Sequence, residues 1–354
     1  MAEVKRIMIT GGAGFLGLHC ANTWADRGLE LMTLLDIAGF DEAEYPKNAK
    51  LIKGDVRDVA LMDKLFAEDK YDLVVHAAAA LPLWPKKEIF STNVDGTRVT
   101  LETARKHKVP RVVYISSTAV YGVPKRHPLY ESDPMVGVGA YGESKIRAER
   151  VCREFRSPDL CVPVIRPKTF IGPERLGVFQ ILYDWVESGV RIPMIGWGNN
   201  PYQLMDVADL VEAIWLVGTL PDKAKVDQEF NVGAMEYTTV RQDVGALCDY
   251  AKTGSKPLGT PAMPIKTALA IFEALKLSPL YKWIYGTADK ESFVSTEKIQ
   301  SLGWKSRYSN ADALIRSYQW YLDNKHTIHQ GTGVTHRIAW DQSILGVFKK
   351  FLKF

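Results

Sequence analysis

The chain has 354 residues, 46% hydrophobic and 24% charged, enough to bury one large core or two coupled ones. The formal net charge is only +4 and its Lys and Arg are dispersed, which excludes a nucleic-acid-binding face. The four cysteines (Cys20, Cys152, Cys161, Cys248) show neither a paired CxxC nor a His partner at metal spacing, so no metal centre is expected and a reducing, cytoplasmic setting is.

From the N-terminus, apolar runs rich in Val and Ile alternate with amphipathic segments. KRIMIT, LELMTLLD, KLIKG, DLVVHAAA, RVVYISS and CVPVIRP read as buried parallel strands. FLGLHCANTWADRG, VALMDKLFAED, EIFSTNVDGTRVTLETARKHK and the segment beginning YGESK read as the helices between them. Repeated strand–helix units of this length imply an α/β fold with a doubly wound parallel sheet. No signal peptide opens the chain, and no apolar run is long enough to span a bilayer. After Pro167 the pattern loosens, with more Pro, Gly and aromatics. The expected organisation is a nucleotide-binding domain over 1–165 and a smaller substrate lobe over 166–330. Elements from about 200–235 return to the main sheet, and 331–354 forms a tail.

The first strand ends in TGGAGFLG, with Gly11, Gly14 and Gly17 leading into a helix through Phe15 and Leu16. Glycines there allow a tight turn and close approach of backbone to a pyrophosphate seated on the helix N-terminus. Nineteen positions beyond Gly17, Asp36 ends the second strand, where a carboxylate takes the adenosine ribose hydroxyls and repels a 2′-phosphate. NAD is therefore expected in preference to NADP. Asp55 and Val56, in KGDVRD, end the third strand near the adenine position. Ala77, Ala78 and Ala79 end the fourth with small residues that let the cofactor come close. His76, just before them, reads as a satisfied near-core histidine rather than a base.

Tyr141 and Lys145 stand four apart in a helix and so share a face. A free phenol has a pKa of about 10, and a neighbouring ammonium lowers it. The pair is thus suited to acid–base work.

TGGAGFLG, Asp36, GDVRD, HAAA, STNVDGT, YISSTAVYG and YGESK occur in the order and approximate spacing of the extended short-chain dehydrogenases/reductases, a resemblance covering about residues 4–235. It implies that Tyr141 is the acid/base and that Lys145 holds the nicotinamide ribose and lowers the tyrosine's pKa. Ser117, with Thr118 as its rival, polarises the substrate oxygen, and Asn93 braces the site. Ser116 and Pro167 fall among the cofactor-lining positions, with Arg166 and Pro167 shaping the floor under the nicotinamide. A homodimer through a four-helix contact is a further implication.

Members of this family act on nucleotide sugars or on steroid-like lipids. The segment GWGNNPYQLMDVADLVEAI (196–214) lacks the arginine that the sugar enzymes set before V-x-D and carries the neutral Asn200 and Gln203 instead. Together with IRPKTFIGPERLGVF (165–179) and the apolar 261–286, it is similar to the hydroxysteroid and sterol branch. The leading expectation is therefore an NAD-dependent oxidoreductase interconverting a secondary alcohol and a ketone on a sterol-like or sphingoid lipid. The alternatives are a nucleotide-sugar 4-epimerase or dehydratase with tightly bound NAD, and a non-catalytic NAD-binding sensor. In the tail, SILGVFKKFLKF (343–354) sets Phe and Leu opposite Lys349, Lys350 and Lys353. That pattern suits both peripheral contact with the inner face of a membrane and packing on the protein or a dimer mate. No mechanism attaches to His336 and Arg337.

Overall fold

The computed structural model describes residues 3–275, 277–280, 282–328, 330–331, 337, 339–340 and 342–352; His336, Lys353 and Phe354 lie outside them. In chain order its strands are β1 (Arg6–Thr10), β2 (Leu31–Asp36), β3 (Ala49–Lys53), β4 (Leu73–His76), β5 (Val112–Ile115), β6 (Val164–Pro167), β7 (Thr169–Ile171), β8 (Ile192–Ile195), β9 (Leu204–Asp206), β10 (Glu229–Val232), β11 (Pro257–Thr260), β12 (Gln330–Gly331) and β13 (Ala339–Trp340). Seven of them form one sheet in the order β10-β6-β5-β4-β1-β2-β3, parallel throughout. β4, β5 and β6 are buried along their whole length, so β4 and β5 read as apolar runs rather than alternating ones, while β6 carries the buried Arg166. The chain winds outward from β1 to β3, then returns to β4 on the other side of β1. The crevice beyond the carboxyl ends of β1 and β4 is thus the topological switch point, where such sheets bind ligands.

The chain divides into two compact units. The first takes residues 1–168, 207–233 and 294–305; the second takes 169–206, 234–293 and 306–354. The return to the main sheet starts at Val207 rather than near 200, because Leu204–Asp206 is spent as β9, paired with β7 in the second unit. A further return, 294–305, is held in the first unit by Ser295 N–H donating to the Leu129 carbonyl and Trp304 Nε1 to that of Asp209. The described part of the tail belongs to the second unit. Leu345 and Leu352 pack on its core, and Arg191 N–H donates to the Leu352 carbonyl.

One expected helix is interrupted. The stretch from 88 to 108 forms a helix over Lys86–Phe90, a wider π turn over Ser91–Asp95, and a second helix over Gly96–Lys106. Asn93, inside the π turn, gives the physical reason. It accepts from Ala80 N–H at 2.8 Å and donates to the Ala80 carbonyl at 3.2 Å and to Ser144 Oγ at 2.9 Å. These long-range bonds hold the local widening in place. Among the described residues no helix is long and apolar enough to cross a membrane.

Candidate dinucleotide and catalytic site

The glycine turn follows β1. Gly11 has φ +75°, and a Cβ there would lie 2.9 Å from the carbonyl carbon of Ala77 and from the nitrogen of Ala78. A Cβ on Gly17 would lie 2.4 Å from the Gly11 carbonyl oxygen, so glycine alone lets the helix Phe15–Trp24 start this close to the turn. Gly14 caps that helix without a side-chain hydrogen bond. The first N–H groups of the helix therefore have no acceptor within it. The Phe15 and Leu16 side chains are buried, so what they and Gly17 offer a ligand is backbone N–H at a helix N-terminus.

At the end of β2 the Asp36 carboxylate accepts from Ala13 N–H at 3.1 Å and Ala38 N–H at 2.9 Å, which locks it to the glycine turn. Burial raises its pKa, and the backbone donors oppose that shift. Ala77 and Ala78 anchor back to β1 through Thr10, and Ala77, Ala78 and Ala79 are partly exposed, forming a low wall opposite the turn. A turn with no side chain larger than the Ala13 methyl, a helix N-terminus and a strand-end carboxylate together fit a dinucleotide.

Other expected cofactor contacts are committed to structure. Asp55 pairs with Arg57 through both carboxylate oxygens, at 3.0 and 2.7 Å, and the pairing lowers its pKa. Arg57 continues to Glu88 at 2.8 Å and Ser91 at 2.7 Å, so the carboxylate brackets the end of β3 to the helix Lys86–Phe90. Val56 is a core side chain. Asn93 spends its amide on Ala80 and Ser144 and acts as a brace. His76 is buried between Thr10 Oγ1 at 2.7 Å and Thr97 Oγ1 at 3.1 Å; burial pushes its pKa down to about 3, and it stays neutral.

The Tyr141–Lys145 pair lies on the helix Gly139–Phe155, which comes so near the turn Thr118–Tyr121 that a Cβ on Gly142 would sit 2.9 Å from the Ala119 carbonyl oxygen. Tyr141 is half-buried and Lys145 is buried. The ammonium donates to the Ile115 carbonyl at 2.8 Å and lies 4.9 Å from the Tyr114 ring centre and 5.9 Å from that of Tyr141. Burial lowers the Lys145 pKa to about 8, opposed by the Glu149 carboxylate.

The three hydroxyls after β5 have different occupations. Ser116 donates to Glu149 Oε1 at 2.6 Å, and Thr118 donates to the Pro167 carbonyl at 3.3 Å. The Ser116 and Thr118 protons are thus both engaged within the protein. Ser117 Oγ accepts from Ala119 N–H at 3.1 Å, capping the turn, and an accepting hydroxyl still has a proton to donate. Pro167 contributes the carbonyl that holds Thr118. Arg166, expected under the nicotinamide, is fully buried. Its guanidinium takes both oxygens of Glu149, at 2.9 and 2.6 Å, and donates to Tyr121 Oη at 2.7 Å.

Glu149 is the site residue that the sequence pattern left out. It lies four positions beyond Lys145 on the Tyr141 face, so helical spacing carried the signal. Lys168 also escaped notice; it is buried, and desolvation pushes its pKa down to about 7. In the second unit, Asn200 Nδ2 donates to the carbonyls of Ala288 at 3.1 Å and Lys290 at 2.8 Å, and Gln203 Nε2 to that of Ala234 at 2.7 Å. These two amides, expected to touch substrate, hold backbone.

The sheet order, the glycine cradle and the Tyr–Lys helix define an enzyme of the dinucleotide-binding α/β class. Residues 7–233 match the model of the NAD dependent epimerase/dehydratase family, and the chain belongs to that family. It is 33% identical over 357 aligned residues to an uncharacterised protein, y4nG, of Sinorhizobium fredii, covering 99% of this chain and 87% of the relative. A UDP-glucose 4-epimerase of Halalkalibacterium halodurans is 25% identical, over 90% of this chain and 96% of the relative. Among solved structures, the Bordetella bronchiseptica enzyme WbmG in complex with NAD shares the fold with a TM-score of 0.74 and 23% identity, covering 96% of this chain and 97% of that one. The UDP-glucose 4-epimerase of Thermotoga maritima with UDP-glucose gives 0.74 and 21%, covering 90% and 99%.

Proposed function

We propose that this protein is an NAD-dependent enzyme that acts at a secondary hydroxyl of a nucleotide-linked sugar, as a 4-epimerase or a dehydratase. The observation that carries the chemistry is the buried Lys145 ammonium, tied to the Ile115 carbonyl and 5.9 Å from the Tyr141 ring centre. A cation so placed favours the phenolate, and a phenolate takes a hydroxyl proton that the phenol later returns. Ser117 donates to the oxygen where negative charge develops. The helix N-terminus at Phe15–Gly17 and the Asp36 carboxylate hold the pyrophosphate and ribose of NAD. When bound, NAD supplies the hydride acceptor and donor at the carbon bearing that hydroxyl.

The sugar class is supported by relatives named as UDP-glucose 4-epimerases and a dTDP-D-glucose 4,6-dehydratase. They support it more than the lipid expectation, two of whose supports, Asn200 and Gln203, are engaged with backbone carbonyls. The test is to incubate purified protein, without added NAD, with UDP-hexoses and dTDP-glucose and to follow products by NMR. Epimerised or 4-keto-6-deoxy product is expected. No conversion of any nucleotide sugar, with NADH-dependent reduction of a keto-lipid instead, overturns the proposal in favour of the lipid dehydrogenase.

A further inference from the structure

The second unit sets an aromatic ring and a cation side by side at its surface. Trp197 stands between Gly196 (φ +85°) and Gly198 (φ +70°), two left-handed positions that turn the chain sharply after β8. The turn is pinned on each side. Thr260 N–H donates to the Gly196 carbonyl at 2.9 Å, and Arg241 N–H to that of Gly198 at 2.9 Å. The indole held by this fixed backbone is 62% exposed.

A lone exposed tryptophan is ordinary on a protein surface. What sets this one apart is Arg241, in the first turn of the helix Val240–Ala251. Its Nε donates to the Trp197 carbonyl at 2.9 Å, which aims the guanidinium fork. Its Nη1 and Nη2 meet no acceptor among the described residues. Beneath ring and fork lies Gly259 of β11, where a Cβ would stand 2.6 Å from Trp197 Cε3 and 2.7 Å from Arg241 Nη2. Glycine is what lets the indole edge and the guanidinium tip meet over one point of the strand.

This pairing specifies the ligand. A planar base stacks on the indole face, and the ribose and phosphates it carries extend past the ring edge, where the fork offers its free N–H groups. The planar fork matches a pair of phosphate oxygens, whereas a neutral sugar or an aliphatic chain would leave its charge unanswered. A diphosphate needs such a cation, and the segment 196–214 contains neither arginine nor lysine. Other cations of this unit are already paired, Arg316 with Asp206 at 2.6 Å and Lys266 with Asp289 at 2.5 Å.

We infer that Trp197, Arg241 and the gap over Gly259 form a site for a nucleoside diphosphate, with the base on the indole and a phosphate on the guanidinium. The inference rests on the nucleotide-sugar reading for the substrate that this site serves, not for the binding itself.

Calorimetric titration of the NAD-saturated protein with UDP tests it, since NAD keeps the dinucleotide site filled. Trp197→Ala should weaken UDP about tenfold or more, the scale of one base–aromatic stack, and Trp197→Phe should recover most of that loss. Arg241→Met should weaken UDP about tenfold or more, the loss of a charged hydrogen bond, with the thermal midpoint unchanged. For a nucleotide sugar, Trp197→Ala and Arg241→Met should raise KM by similar factors and keep kcat within about twofold. UDP that binds the wild type and these variants alike, or does not bind the wild type, overturns the inference. Turnover of a nucleotide sugar with KM unmoved in the variants removes this site and leaves the proposed function standing. UDP binding that depends on Trp197 and Arg241, without turnover of any nucleotide sugar, keeps the site and removes that function.

Discussion

The buried pair Glu149–Arg166 joins the helix that carries Tyr141 and Lys145 to β6, and its removal has calculable consequences. Both side chains are fully buried and bonded at 2.9 and 2.6 Å. Arg166→Met strands the Glu149 carboxylate from its buried partner, with only the part-exposed Arg153 left as a cation, at 3.5 Å, and should cost about 3–5 kcal/mol, the usual result of breaking a buried pair from one side. Removing both charges with Glu149→Met and Arg166→Met eliminates that stranded charge. It leaves Ser116 Oγ without its acceptor, which costs about 1–3 kcal/mol. The double variant should thus be more stable than Arg166→Met alone, with an interaction free energy of about 2 kcal/mol or more in the cycle. Urea denaturation of the four proteins at neutral pH measures it. Purely additive losses, or a cost below about 1 kcal/mol for Arg166→Met, would refute the reasoning. Glu149→Gln adds a functional readout. His76, Tyr114 and Cys152, which also face Lys145, are held neutral by burial. Among the described residues Glu149 is therefore the anion that keeps Lys145 protonated, with Arg166 behind it. The variant should lose activity at a lower pH than wild type on the alkaline side, and an unmoved limb means Glu149 is structural only.

Tyr141→Phe should leave NAD binding within about twofold and lower turnover about a hundredfold or more, as judged by calorimetry and product NMR; near-normal turnover removes Tyr141 as the acid/base. Asp36→Asn should reduce the preference for NAD over NADP about tenfold, the effect of one lost repulsion, in parallel titrations of both cofactors. Gly17→Ala must displace backbone, since its Cβ would meet the Gly11 oxygen at 2.4 Å. A stability loss of about 1–3 kcal/mol is expected, with NAD affinity falling further than stability. Lys145 is held near 8 against an ordinary 10.5, so the unfolded chain binds the extra proton between those values and this lysine's burial cost disappears as pH rises through them. From about pH 7 to about pH 10, wild type should therefore gain about 2–3 kcal/mol over Lys145→Met in denaturant titrations.

Much of the molecule was legible locally. β4 and β5 declare themselves because a strand buried on both faces is an uninterrupted apolar run, and periodicity needs no knowledge of neighbours. The glycine turn, Asp36 and the Tyr141–Lys145 spacing are equally local, each set within one turn or one helix face. What the sequence alone left open is which donor meets which acceptor. Ser116, Ser117 and Thr118 are consecutive hydroxyls, and only the fold brings Glu149 to the first and the Pro167 carbonyl to the third. Asn93 widens its own helix because Ala80 and Ser144 lie within reach. Asn200 and Gln203 have the chemistry of substrate ligands, yet Ala288, Lys290 and Ala234 reach them first. The tail's helical wheel was plain in sequence, but the contact of Lys349 with Asp184, 165 residues earlier, decided which side faces water. A residue's backbone preference and apolar period belong to its own segment, whereas a hydrogen bond or ion pair needs a partner that tertiary packing delivers.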